Sequence, residues 1–167
     1  AKGSGIGLLL HYNNNPAFTT PGSANAVEAL KNVPYIASFS SFMDETTSLA
    51  DIIIPSHTSF EDWGDDFTDP APGFQVATLM QPVVSPVFKT SSLGDTIIGL
   101  GKGVGGGAAA KMPDGTYADH LKDSWSGLYA RNKAMNASEL TFERFWRDTL
   151  AKGGWWKQSK PKESRLK

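Results

Sequence analysis

A short, unbroken apolar run at residues 6–10 stops abruptly at a polar stretch, residues 11–22. That is the pattern of a strand buried on both faces. Val27, Ala29 and Leu30 belong to a helix that Ser23 can cap and that ends near Lys31-Asn32, ahead of Pro34. Residues 35–39 read as a second strand. Asp44 offers an N-cap to a one- or two-turn helix running to Ala50, and Ile52-Ile53-Ile54 is a β-branched third strand closed by Pro55. Strand, helix, strand, helix, strand implies right-handed crossovers and a parallel sheet. Burial of the third strand makes Ile53→Asp an unfolding substitution on this reading. In such sheets the ligand crevice lies beyond the carboxyl ends of the strands. Those ends lead into residues 11–16, 38–44 and 55–61.

The pattern then changes. Residues 63–86 are rich in Pro, Gly and Asp, with one strand expected at residues 74–79 inside a long ordered loop packed by Trp63, Phe67 and Phe74. Residues 93–100 are predicted helical, and residues 101–107 are a glycine break. Tyr117, Leu121, Trp125 and Leu128 recur at i, i+4, i+8 and i+11, one stripe of an amphipathic helix. Phe142, Phe145, Trp146, Thr149 and Leu150 form a second helix, begun by Thr141 and stopped by Gly153-Gly154. Aromatic stripes at this spacing are assigned to packing rather than to a cofactor. The expected organisation is a partial α/β domain over residues 1–102, a Gly-rich linker over 103–115, a helical appendage over 116–156 and a basic tail over 157–167.

Composition narrows the function. At 167 residues the chain has room for one hydrophobic core and an appendage. A net charge of -1 gives no bulk reason to bind nucleic acid or a membrane surface. No Lys or Arg falls between Lys31 and Lys89, while Asp44, Glu45, Asp51, Glu61, Asp62, Asp65, Asp66 and Asp69 all do. The middle of the chain should repel polyanions. With no cysteine, the chain has no iron-sulfur ligands, disulfide framework or thiol nucleophile of its own. No apolar run is long enough to span a bilayer, and the first residues carry no targeting signal.

Few strings carry chemistry. Gly101-Lys102-Gly103-Val104-Gly105-Gly106 matches a dinucleotide fingerprint by letter, but it follows a helix instead of a strand. His57 and Glu61 stand four apart near Asp62 and Asp65, yet Pro55 and Gly64 oppose a regular helix and no second His lies near, so a hydrogen-bonded loop His is expected there. There is no Gly-x-Ser-x-Gly elbow. No residue stands out as catalytic or as a metal ligand. The loop Asn13-Asn14-Asn15-Pro16 is more informative because it directly follows the first strand. Asn tolerates left-handed backbone and offers donors and acceptors, while Pro sets the exit direction. A plain turn reads the same way.

Several segments together resemble a known family. They are Leu8-Leu9-Leu10-His11-Tyr12-Asn13-Asn14-Asn15-Pro16, Val33-Pro34-Tyr35-Ile36, Phe42-Met43-Asp44-Glu45-Thr46, residues 49–55 and Glu61-Asp62-Trp63-Gly64. In this order they look like the middle α/β domain of large subunits of the molybdopterin oxidoreductase (dimethyl sulfoxide reductase) superfamily. Closest in appearance are the large subunits of alternative complex III and the related menaquinone reductase, which keep the fold without molybdenum. The resemblance implies a Rossmann-like parallel sheet fragment of α/β class, with flanking helices and a long irregular loop. It implies a parent that binds bis-molybdopterin guanine dinucleotide with molybdenum or tungsten. Asn13, Asn14, Asn15 and Pro16 would lie near pterin and phosphates, and Ser38, Ser40, Asp44, Glu45 and Thr46 near the nucleotide end. The implied partners are the iron-sulfur and membrane subunits of a respiratory complex, together with the remaining domains of the same large subunit. The implied location is periplasmic or membrane-associated, and the isolated chain is expected to have no turnover.

Overall fold

The computed structural model describes residues 5–68, 74–133 and 141–157. Asp69, the first four residues and the basic tail from residue 158 lie outside the described residues. The chain divides into two compact units, residues 1–58 with 85–96, and residues 59–84 with 97–167.

In the first unit, β1 (Leu9–His11), β2 (Ile36–Ser38) and β3 (Ile52–Ile53) form a sheet in the order β1-β2-β3. Both pairings are parallel, with Leu10 opposite Ala37 and Ala37 opposite Ile52. The expected α/β class and parallel pairing are therefore observed. Beyond β3, Ser56 and Ser91 form an isolated parallel bridge. Helices α1 (Pro16–Thr19) and α2 (Ala26–Lys31) lie between β1 and β2, and a 3-10 turn, Thr47–Leu49, lies between β2 and β3. Ser23 does not begin α2: its backbone sits in a separate 3-10 turn, and α2 starts after Asn25, whose φ of 49° is left-handed. The helix itself carries Val27, Ala29 and Leu30 and ends at Lys31 as expected; only the Ser23 cap is replaced by a preceding 3-10 turn.

Burial corrects the sequence reading. The central strand β2 is wholly buried, with Ile36 2% exposed, but the first strand is not buried on both faces: Leu8 is 53% and Leu10 45% exposed. Ile52 and Ile53, expected in the core, are 42% and 37% exposed. An apolar run reports only that its residues can be buried. What covers them is a property of neighbouring layers.

The second unit contains an antiparallel sheet that the sequence did not announce. β4 (Gly64–Asp66) and β6 (Gly154–Lys157) flank β5 (Gln75–Met80). The expected long loop over residues 63–86 thus holds two strands, and the segment after the last helix returns as a third. A Gly pair makes that return. Gly153 caps the preceding helix at φ 74°, and a Cβ on Gly154 would stand 2.6 Å from the Ala77 carbonyl oxygen, so the strand approaches too closely for a side chain there.

Helix α3 (Leu93–Val104) runs through Gly101 and Gly103, so the expected glycine break begins only at Gly105. A short helix, α4 (Gly106–Ala109), follows. The fingerprint-like string is therefore helix and helix end, without the strand that a dinucleotide site requires. α5 (Tyr117–Lys133) and α6 (Phe142–Lys152) follow the predicted stripes, and Thr141 accepts a hydrogen bond from the Arg144 N–H as the expected cap. Their apolar faces meet the sheet. Ala77, Leu79, Trp125 and Leu128 form the core, with Phe145, Trp146, Leu150 and Trp155 packed around it. Trp63 stacks on Trp146 at 6.3 Å, and the Trp125 indole N–H donates to Asp65 at 3.1 Å.

Candidate functional site

The carboxyl ends of β1 and β2 bring the polar loops together, as open parallel sheets do. His11 closes β1 and is buried, opposite Ser38 in the register. Its Nε2 bonds the carbonyl oxygen of Asn14, and its Nδ1 lies 3.2 Å from the Ser38 hydroxyl. A carbonyl can only accept, so Nε2 carries a proton, while the direction of the bond between Nδ1 and the Ser38 hydroxyl follows the state of the ring. The Ser38 hydroxyl also shares a hydrogen bond with the Thr47 hydroxyl, 3.0 Å away, and accepts from the Ser40 N–H. One buried chain of hydrogen bonds thus ties the Asn loop to the turn after β2.

Asn15 makes a second tie. Its side-chain oxygen accepts from the Thr46 hydroxyl at 2.7 Å and the Thr46 N–H at 3.3 Å, and its amide donates to Glu45 at 2.6 Å. The Thr46 hydroxyl also accepts from the Ala17 N–H, just after Pro16 at the start of α1. Asp44 accepts from the Thr47 N–H at 2.7 Å, a cap-like bond, although the expected helix is only the 3-10 turn Thr47–Leu49 and Thr46 holds its N-cap position; Ser40 donates to the Phe42 carbonyl. Asn13 holds a left-handed φ of 49°, which Asn tolerates better than most residues.

The electrostatics run one way. Partial desolvation raises the Asp44 pKa, but the Thr47 N–H and hydroxyl, with nearby His11, outweigh it and leave the pKa below the ordinary value. The bond from the Asn15 amide lowers that of Glu45. Both carboxylates are ionised at neutral pH. A lowered folded pKa means that Asp44 stabilises the fold above its unfolded pKa, and that this contribution disappears as pH falls through the folded one. Asp44→Ala is expected to cost about 1 kcal/mol at pH 7, as the loss of a cap does. The difference from the parent chain should shrink as pH falls below the ordinary carboxylate range, as urea titrations across pH 7 to 3 would reveal; a pH-independent difference would contradict the assignment.

The nine residues singled out in the sequence therefore lie together, but they mostly serve one another. Among the described residues no buried side-chain nitrogen or oxygen lacks a partner. Two ionised carboxylates border the loop, and no Lys or Arg occurs in the stretch that builds the β2 and β3 side of it. This set does not fit the pyrophosphate of a pterin dinucleotide. Only the exposed Asn13 and Asn14 amides are uncommitted, and they are neutral. Sequence reasoning missed His11 as the hub. Its place at the end of an apolar run, three residues before Asn14, was the available signal.

The other candidates separate. His57 bonds Thr90 at 2.7 Å within the first unit, the hydrogen-bonded loop His that was expected, whereas Glu61, Asp62 and Asp65 belong to the second unit. Among the described residues no cluster of three His, Cys, Asp or Glu is arranged to hold a metal ion. No helix there is long and apolar enough to cross a membrane.

Over 97 residues, 58% of its length, the chain is 35% identical to the menaquinone reductase, molybdopterin-binding-like subunit, of Nitratidesulfovibrio vulgaris. Over 90 residues, 50% of its length, it is 38% identical to a tetrathionate reductase subunit of Salmonella typhimurium. It spans 14% and 9% of the lengths of these curated relatives. No protein-family model matches the chain.

Proposed function

We propose that the chain is one domain of the large subunit of a respiratory oxidoreductase complex of the molybdopterin superfamily, whose parent passes electrons between a quinone pool and a periplasmic carrier or substrate. Two reductase subunits that share more than a third of aligned residues with it, over half or more of its length, carry this reading. In such a complex the domain would meet the remaining domains of its own subunit, which in turn would meet iron-sulfur and membrane partners on the periplasmic side or at the membrane.

Within that subunit the domain acts as a scaffold rather than a cofactor holder, and one observation favours this second reading. Asn15, Ser38, Ser40, Asp44, Glu45 and Thr46 are hydrogen-bonded to one another or to neighbouring backbone and side chains, so the crevice is satisfied by the chain itself. The domain's first task on this view is to hold a rigid loop cluster in register. The isolated chain is accordingly expected to show no turnover with artificial electron donors.

Metal and pterin analysis of the purified intact subunit tests both parts. Co-purification with iron-sulfur and membrane partners, without stoichiometric pterin, is the expected outcome. One or more pterins per subunit would overturn the scaffold reading and keep the oxidoreductase one. Purification of the subunit without redox partners would overturn the latter. Substitutions add a second check. Asn15→Ala strands the buried Thr46 groups and should destabilise the first unit by about 1–3 kcal/mol. Asn14→Ala removes only an exposed amide and should stay within about 0.5 kcal/mol. Equal losses in chemical denaturation would contradict the geometry of the loop.

A further inference from the structure

A line of three indoles leads out of the core of the second unit. Trp125 in α5 is 0% exposed, and its ring lies 6.3 Å from that of Trp146 in α6. Trp146 in turn stacks on Trp63 at 6.3 Å, with 17° between the ring planes. Trp146 and Trp63 are both half-buried, so the line runs from a centre that water does not reach to the surface. Packing accounts for the contacts themselves, as it does for Phe67 and Phe145 at 6.2 and 6.3 Å from Trp125. The chemistry differs, however. An indole gives up an electron far more readily than a phenyl ring, and rings this close exchange one without a bridging group.

The buried end of the line has a second property. The Trp125 indole N–H donates to Asp65 at 3.1 Å, and Asp65 pairs with the core residue Leu79 in the antiparallel sheet. A buried indole N–H needs an acceptor, and a backbone carbonyl would satisfy it equally well. A carbonyl cannot keep a proton, whereas a carboxylate can. The distinction matters once the indole loses an electron, because its radical cation is a strong N–H acid and a cation in an apolar core is costly. Passing the proton along the existing hydrogen bond leaves a neutral indole radical beside a neutral carboxylic acid. The electron can therefore leave the core without stranding a charge there.

We propose that the second unit carries a one-electron relay, with Trp63 as its surface end and Trp125, coupled to Asp65, as its buried end. Its co-reactant is a strong one-electron oxidant of the oxygen-derived radical class, arriving at the surface. The oxidant takes one electron from Trp63. Trp146 refills Trp63, Trp125 refills Trp146, and the Trp125 Nε1 proton moves to Asp65. The sum is one reduced oxidant, one neutral radical on Trp125 and one protonated Asp65. A surface reductant such as ascorbate returns the electron by the same route, and Asp65 returns the proton to the indole. The relay moves single electrons stoichiometrically, in keeping with a chain that has no turnover. It rests on the geometry of the second unit alone and goes beyond the reading of the parent as an oxidoreductase.

The absence of cysteine makes the test direct. Phe60→Cys, at a side chain 70% exposed and close in sequence to Trp63, gives the full chain a single thiol for a ruthenium polypyridyl label. A flash in the presence of a cobalt ammine electron acceptor generates the ruthenium(III) oxidant in place, and transient absorption follows the indole radical with ascorbate in solution. The neutral radical should outlast that of the Trp125→Phe chain by roughly tenfold or more, the factor for about 1.4 kcal/mol of extra stabilisation. Trp146→Phe breaks the line at its middle, and Asp65→Asn keeps an acceptor oxygen that cannot hold the proton. Each should shorten the lifetime to that of Trp125→Phe, and Asp65→Glu should restore it. Equal lifetimes in the labelled chain and its Trp125→Phe variant overturn the relay, and a long-lived radical in Trp146→Phe or Asp65→Asn overturns its path or its proton acceptor. Circular dichroism of each variant separates a lost radical from a lost fold. With all three indoles and Asp65 in place, radical formation should also slow in deuterium oxide, and the lack of an isotope effect overturns the coupling to Asp65 whatever the variants do to the fold.

Discussion

Trp125→Ala should destabilise the second unit by about 3–5 kcal/mol, the range for deleting a large buried aromatic side chain. Trp125 is 0% exposed and lies at the centre of the core formed with Ala77, Leu79 and Leu128. Phe67, Phe145 and Trp146 surround it with ring centroids 6.2 to 6.3 Å away. The substitution opens a cavity that rigid helices cannot close, and it leaves Asp65 without the indole N–H. Since domains are stable by roughly 5–15 kcal/mol, much of the margin would go. Trp125→Phe keeps most of the packing and removes only the hydrogen bond, so it should lose far less. Urea denaturation followed by far-ultraviolet circular dichroism would measure both, and a loss under about 1 kcal/mol for the alanine variant would show that the core is not organised around this indole.

Ile36→Asp should unfold the first unit, whereas Ile53→Asp should leave it folded. Ile36 is 2% exposed in the central strand, where an unpaired carboxylate would cost several kcal/mol or remain protonated. Ile53 is 37% exposed on an edge strand of two residues, and a carboxylate there keeps much of its water. The sequence alone points to Ile53, in the most strongly β-branched run of the chain, so this pair of variants separates propensity from burial. Backbone amide spectra of the two variants would decide it. Collapse of both spectra would mean that the edge strand is buried in solution.

The candidate site was half visible in the sequence. Asn13, Asn14 and Asn15 announced a loop by their chemistry and by their place after an apolar run, and Asp44 announced a cap. The sequence could not say that Asn15 spends its amide on Glu45 and Thr46, about 30 residues away, or that His11 and Ser38 share a hydrogen bond across the sheet. Hydrogen-bonding capacity is a property of a residue type, whereas its use depends on which loops the topology brings together.

The same division holds for the fold. Local pattern determined the three parallel strands and the two aromatic helices, because periodicity of two or 3.6 and caps such as Thr141 are settled within a few residues. Tertiary structure alone decided that residues 64–66, 75–80 and 154–157 pair as an antiparallel sheet, since pairing depends on a distant partner and on the close approach that Gly154 permits. It also decided that Leu8, Leu10 and Ile52 face outward while Ile36 does not. All four are equally apolar to a reader of the sequence, and only the layer packed against each strand determines which of them leaves water.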